Sequence, residues 1–467
     1  MIPFRPLNGM QKMMLRWEEF RALNAAHVVE LGHATSIQDA ETAVHEACRT
    51  VGLNPVEFCS QRKNFRFLDQ PVSTSEEFPS LEHRHFAASG VDSIHQVLQE
   101  QLNRPFETGA HWPFRFLFVE APDSGPYLVV VYQHVVSDSR GVQLILREVL
   151  RALFRQPSKC GKLRYHPPAL QELFADEYGW KNLPRRAYEV FDDIYQSSGC
   201  FRAREHDTGE QGISCGIQAT GLPISLIKMM SRQSGVTVQD LLFASMLEAY
   251  ALLFQDQLQN TRRKTLAVYT PVDLRRESPE NVDDAMGQML GCMTVRLKIT
   301  PGMPFPEIIS RVAEQTRAVK RTHGYRTHAA HLDTMSKLWD RAPKWMNRTV
   351  GPNLFPLLGV ISNCNLSDFF AEELSTGRIR NYFRVSGTGL IVPMMLTVTT
   401  LGPSVNLTTT YHENTFNQLD MQRVGSHIKY RITGQLHDIA SHDEFMNLNP
   451  NQTDFNTDRS TYEPRSA

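Results

Sequence analysis

Two kinds of hydrophobic spacing alternate along this chain. Tyr127 to Val131 is apolar at every position, the pattern of a strand buried on both faces. After a short polar turn, Val142 to Phe154 repeats its apolar residues at helical spacing. Upstream, Ala26 to Leu31 reads as a strand. Ser36 then caps a helix to about Val51, with Ile37, Ala40, Val44, Ala47 and Val51 on one stripe and Gly52 as its stop. Residues 113–133 predict two strands and 142–154 a helix, so the first half mixes both elements around one core.

From about Arg155 to Gly212 the periodicity weakens. Polar runs at 156–162 and 204–211 bracket an aromatic-rich segment, 168–196, for which a helix is expected, and the whole reads as an interdomain connection. The second half starts near Ile213. Thr237 to Asp240 has the form of a capping box opening a helix through Phe254. Strands are expected over 265–270 and 289–299, a helix over 305–321, and strands over 356–362, 377–385, 391–400 and 404–411. A last helix begins near Phe416. From Leu448 onward Asn, Thr, Asp and Ser dominate, which predicts a disordered tail.

The candidate chemistry lies where the Tyr127–Val131 strand ends. The run Tyr132-Gln133-His134-Val135-Val136-Ser137-Asp138-Ser139-Arg140-Gly141 places a histidine at the strand end and an aspartate four residues later, before a helix. Among the 17 histidines this H-x-x-x-D spacing occurs only here. An imidazole delivered by a rigid strand suits a general base, and the carboxylate suits a supporting role.

These residues resemble the condensation-domain superfamily. It includes the chloramphenicol-acetyltransferase-like enzymes, the plant and fungal H-x-x-x-D acyltransferases and the condensation domains of nonribosomal peptide synthesis. Condensation domains carry H-H-x-x-x-D-G; here Gln133 stands at the first His, His134 at the second, Asp138 at the Asp and Ser139 at the Gly. Other stretches follow in matching order. Leu102 to Phe106 with Trp112 to Phe116 is similar to the strand lead-in "PFD…GPL-R". Thr270 to Arg275 is similar to "TPVAGR", and Gly287 to Arg296 to "GMFVNTLPLR", with Gly291 and Cys292 in place of Asn and Thr. Val360 to Asn363 resembles the "SN-G" strand, and Val405 to His412 the penultimate strand.

The resemblance spans roughly residues 5–435. It implies an α/β (α+β) fold of two chloramphenicol-acetyltransferase-like domains packed as a V around a central tunnel, here 1–205 and 206–445, with 446–467 as the tail. It implies His134 and Asp138 as the catalytic pair, the aspartate holding the loop through Arg275. Gln133, Ser362 and Asn363 would bind substrate or support the site. The expected reaction moves an acyl group from a thioester, acyl-CoA, to a hydroxyl or amine of a small-molecule acceptor. Two alternatives stay open: a condensation-like enzyme fed by a carrier protein, and a non-catalytic binding relative. No carrier or adenylation sequence accompanies the domain, which favours acyl-CoA. No cofactor is expected: P-loop and G-x-G-x-x-G patterns are missing, so the thioester arrives preformed.

Composition narrows the setting. With 467 residues, 41% hydrophobic and 21% charged, this is an ordinary globular composition with ample core. A net charge of −1 leaves no electrostatic footprint for nucleic acid. Seven scattered cysteines and no leader predict reduced thiols in a cytoplasmic compartment, and a monomer is expected; no apolar run has the length of a membrane span.

Rival motifs read as structure. Gly212-Ile213-Ser214-Cys215-Gly216 matches G-x-S-x-G but lacks a strand-turn-helix frame. His323, His328, His331 and Asp333 have no zinc spacing, so no metal is expected, and His83, His85, His437 and His442 read as surface. Met289 and Met293 read as core, or else as a soft lining for an acyl chain, and Met10, Met13 and Met14 as core beside Trp17.

Overall fold

The computed structural model describes residues 4–434, apart from 60–63, 69–77, 88–89, 108, 123, 166–169, 175–178, 206–211, 342 and 344–355. His437, His442 and the expected disordered tail lie outside the described residues.

The first half gives β1 (Arg5–Pro6), α1 (Gly9–Glu18), β2 (Asn24–Leu31), α2 (Ile37–Val51), β3 (Val56–Phe58), β4 (Asn64–Phe67), β5 (Leu81–His85), α3 (Gly90–Asn103), β6 (Phe114–Glu120), β7 (Tyr127–Gln133) and α4 (Ser139–Leu153). The connection holds α5 (Leu170–Leu173) and α6 (Leu183–Ser198). The second half follows with β8 (Ile213–Pro223), α7 (Ile224–Gln233), α8 (Val238–Leu253), α9 (Gln255–Gln259), β9 (Thr265–Asp273), β10 (Leu290–Lys298), α10 (Phe305–Thr322) and α11 (His328–Arg341). It closes with β11 (Gly359–Asn365), α12 (Ala371–Ser375), β12 (Ile379–Ser386), β13 (Met394–Leu401), β14 (Ser404–His412) and α13 (Gln418–Thr433).

Local signals explain the element ends. Ser36 accepts from the Asp39 amide at the start of α2, and Gly52 ends that helix at φ 67°, a conformation glycine adopts without strain. Thr237 and Asp240 complete a reciprocal capping box on α8. The strand expected over 265–270 runs on to Asp273, because β10 pairs with it as far as Leu290. The strand expected over 356–362 is β11, three residues later.

β7 lies inside a five-stranded sheet of order β12-β2-β7-β6-β5. All seven of its residues are buried, as its unbroken apolar run requires. Residues of α3, such as Ile94, Val97 and Leu98, cover one face, while α2 and α4 pack together over the other. The second half builds a six-stranded sheet, β10-β9-β11-β13-β14-β8, with α8 buried between it, α10 and α13. A three-stranded sheet, β1-β4-β3, completes the fold.

One strand crosses between the halves. β12 is encoded late yet pairs antiparallel with β2 at the edge of the first-half sheet. Its other edge is covered by side chains of the second sheet. Asn406 donates to the Tyr382 carbonyl at 2.8 Å, Thr397 to that of Arg384 at 2.7 Å, and Thr408 and Thr410 to those of Arg384 and Ser386. These polar residues are buried, and each meets an acceptor, so the threonine-rich run of β14 closes an open sheet edge.

Candidate active site

His134 follows the last residue of β7, and its amide donates to the Leu23 carbonyl at 3.2 Å. Its ring is met edge-on by Tyr132 at 5.6 Å. Nδ1 lies 3.1 Å from the Ser137 carbonyl oxygen, which can only accept. Nδ1 therefore carries the proton of the neutral ring, and Nε2 keeps its lone pair. Burial lowers the imidazole pKa below its ordinary value, against the Ser137 carbonyl and the Asp138 charge, which raise it. The ring is thus held neutral at neutral pH.

The turn is braced from the start of the chain. Gln11 on α1 donates to the Val135 carbonyl at 3.0 Å. Asn8, which caps α1, donates to the Gln288 carbonyl at 2.9 Å, and the Gln288 amide donates in turn to the His134 carbonyl.

Asp138 caps α4. Its Oδ1 accepts the amides of Arg140 at 3.1 Å and Gly141 at 3.3 Å, satisfying donors that every helix start leaves open. Arg275 grips the same carboxylate with both arms, Nη1 to Oδ2 at 2.8 Å and Nη2 to Oδ1 at 3.0 Å, and the Met289 amide adds 3.2 Å. The carboxylate is filled by structural donors and makes no hydrogen bond to the His134 ring. Arg275 also reaches Asp273 at 3.1 Å and the Ala285 carbonyl at 3.0 Å. Burial alone would lower its pKa, but Asp138 and Asp273 outweigh that and raise it. The bridge ties the first-half helix α4 to the end of β9, and only an arginine fork has this geometry.

Between the two sheets lies a cavity of about 360 Å³. His134, Asp138, Arg275, Ser362 and Asn363 all line it. Gln133 does not. Its side chain is buried behind the strand end, where Oε1 accepts from His111 at 3.0 Å and Nε2 donates to Glu18 at 3.2 Å. Gly291 carries a steric reason for replacing the asparagine of similar sequences: a Cβ there would sit 2.3 Å from the Tyr325 carbonyl oxygen.

Sequence reasoning missed part of this wall. His27 on β2, Ser139 at the start of α4 and Arg384 on β12 also line the cavity and bond to one another. The only sequence signal was a polar or charged residue within a strand, as at His27 and Arg384.

The rival motifs separate cleanly. Ser214 lies within β8, bonded to Glu413, with no helix following the serine. Met289 and Met293 are packed in the second-half core and do not line the cavity; Met10, Met13 and Met14 are core residues of the first half. His83 and His85 are exposed, as is His323, which bonds Tyr325 at 3.0 Å. The side chains of His328 and Asp333 lie outside the described residues. Among the described residues no cluster of metal-ligating side chains is found, and no single helix is long and apolar enough to cross a membrane.

No family model and no curated sequence matches the chain. Solved structures do. The first condensation domain of the CDA synthetase superposes with a TM-score of 0.65 at 11% identity, covering 92% of this chain and 95% of that one. The trichothecene 15-O-acetyltransferase from Fusarium sporotrichioides gives 0.67 at 12%, with 92% and 95% covered. The starter condensation domain of rhizomide synthetase, solved with C8-CoA, gives 0.60 at 13%, with 92% and 93% covered. With nearly complete coverage of both chains at these TM-scores, the chain has the fold shared by condensation domains and the chloramphenicol-acetyltransferase-like enzymes.

Proposed function

We propose that this protein is an acyltransferase that moves an acyl group from acyl-CoA to a hydroxyl or amine, with His134 as general base. The observation that carries this reading is the His134 ring itself. It is locked by the Ser137 carbonyl so that Nε2 is the unprotonated nitrogen, it is kept neutral by burial, and it lines a cavity between the two sheets. The acceptor's oxygen or nitrogen attacks the thioester carbonyl while Nε2 takes its proton. The tetrahedral intermediate then expels the thiolate, and the imidazolium returns the proton to sulfur, so the products are the ester or amide and a free thiol. Asp138 and Arg275 act by holding the turn. Ser362 and Asn363 would face the substrate from β11, and Gln133 would support the strand end. In this reading the halves 1–205 and 206–445 share the cavity, which would extend to the surface as a tunnel, and the protein works as a cytoplasmic monomer.

Carrier-protein thioesters are the second reading, favoured by the condensation domains among the similar structures. One assay addresses both: thiol release from a panel of acyl-CoAs, and from the same acyl groups on a pantetheinylated carrier protein, with alcohol and amine acceptors. His134→Ala should lower acyl transfer by about 10²–10⁴-fold with the fold intact. Near-normal turnover in a folded His134→Ala protein would sink the mechanism.

A further inference from the structure

Arg384 brings a positive charge into the cavity wall that the described residues do not answer. It is only 4% exposed. Nε donates to Thr399 Oγ1 at 3.1 Å, Nη1 to Ser139 Oγ at 3.1 Å and Ser362 Oγ at 3.4 Å, and Nη2 to the carbonyls of Ser362 at 3.0 Å and Val398 at 3.1 Å. Every one of these acceptors is a neutral oxygen, and among the described residues no carboxylate pairs with it. Guanidinium stays charged at any working pH, and a buried charge without a counter-charge is expensive. The buried Arg151 shows the usual solution in this protein, with Glu372 at 3.1 Å and Glu373 at 3.8 Å.

The groups beside Arg384 add no negative charge. Ser139 Oγ accepts from Arg384 and from Gln143 Nε2 at 3.1 Å, so its hydrogen is left for His27 Nε2 at 3.0 Å. His27 must accept there, and its Nδ1 then donates to the Tyr382 oxygen at 2.6 Å. The imidazole is thereby fixed neutral. Burial, and then the Arg384 charge, hold its pKa well below the ordinary value. This corner of the cavity therefore carries one uncompensated positive charge.

We propose that the substrate carries a carboxylate, and that this carboxylate docks on Nη1 of Arg384 in the cavity that also holds His134. The proposal rests on the acyl-transfer reading and names its substrate class. Nη1 is the arm whose partners are two serine hydroxyls, which can turn away or join the ligand. Nε and Nη2 stay on their protein acceptors, so the N–H groups of Nη1 are the ones that can turn to a carboxylate oxygen, and one positive charge at this corner matches one carboxylate. The carboxylate sits either on the acceptor or at the far end of the acyl chain, and the two sources are separable.

Two matched pairs test it. Calorimetric titration compares 3-hydroxybenzoate with its methyl ester, and thiol release compares succinyl-CoA with butyryl-CoA. In one pair the wild-type protein should favour the carboxylate by about tenfold or more. Arg384→Met should bring that ratio close to one, and Arg384→Lys should keep part of it. Preference in the first pair places the carboxylate on the acceptor, and preference in the second places it on the acyl chain. No preference in either pair overturns the proposal, and butyryl-CoA turnover would then leave the acyl-transfer reading standing. A preference that survives in folded Arg384→Met also overturns it. Arg384-dependent carboxylate binding without thiol release from any thioester upholds the anion site and sinks the acyl-transfer reading. Should Arg384→Met fail to fold, Arg384→Lys decides: a preference undiminished in that variant overturns the proposal.

Discussion

Of the arginines that line the cavity, Arg275 and Arg384 share the same 4% exposure, and they are held in opposite ways. Arg275 meets two carboxylates, Asp138 and Asp273. Arg384 meets only hydroxyls and carbonyls. The first charge is consumed inside the protein, where it fixes the turn that carries His134. The second is geometrically fixed but electrostatically open. One cavity thus separates a locking function from a binding function by the nature of the acceptors around each guanidinium.

The largest effect should come from breaking the closed corner. Asp138→Ala strands a buried arginine and uncaps α4, and should cost about 3–5 kcal/mol of stability in urea unfolding. Arg275→Ala should behave alike, and the double variant should be little worse than either single, because the two residues share one interaction. Additive losses would show that they are not partners.

Arg384→Met should cost less, about 1–3 kcal/mol, since it leaves neutral acceptors unmet but removes an uncompensated charge. A loss as large as that of Asp138→Ala would show Arg384 to be chiefly a structural pin between the sheets.

Acidification gives a third, smaller contrast. Burial holds His27 and His412 well below 6.5, with the Arg384 charge adding at His27 and the Arg21 charge at His412. The unfolded chain therefore binds more protons below about pH 6.5. Their contribution to stability is complete above that pH and is lost as pH falls through it toward the folded values. The slope is at most about 1.4 kcal/mol per pH unit for each histidine. His27→Gln should flatten the melting-temperature profile between pH 7 and 5, and an unchanged profile would exclude His27 as a contributor.

Gln133→His should have the smallest effect. Gln133 bonds His111 and Glu18 behind the strand end and does not line the cavity. Activity should stay within a few-fold of the parent, with the acceptor KM unchanged. A large rise in acceptor KM alone, in both Gln133→His and Gln133→Ala, would move this residue into the substrate site.

Legibility differed sharply within the site. His134 was visible because an apolar run ends on it, and a run is a property of neighbouring residues. Asp138 was visible as the residue before a helical stripe, though its pairing with Arg275 came through resemblance, since the two lie 137 positions apart. Ser139 looked like a departure from a glycine; the structure shows it accepting from both Arg384 and Gln143. Gly291 looked like another departure, and only the nearby Tyr325 carbonyl explains it.

The sequence by itself determined the local elements: the buried β7, the capped α2 and α8, and a histidine at a strand end before a helix. Periodicity, caps and glycine stops act over a few residues, so they can be read along the chain. The tertiary structure alone decided that β12 crosses to pair with β2, that the threonines of β14 close its free edge, and that Arg384 reaches Ser139 across 245 positions and Tyr382 reaches His27 across 355. Such contacts depend on which sheet edge lies open and which buried donor needs an acceptor, and these are conditions that exist only once distant segments have packed together.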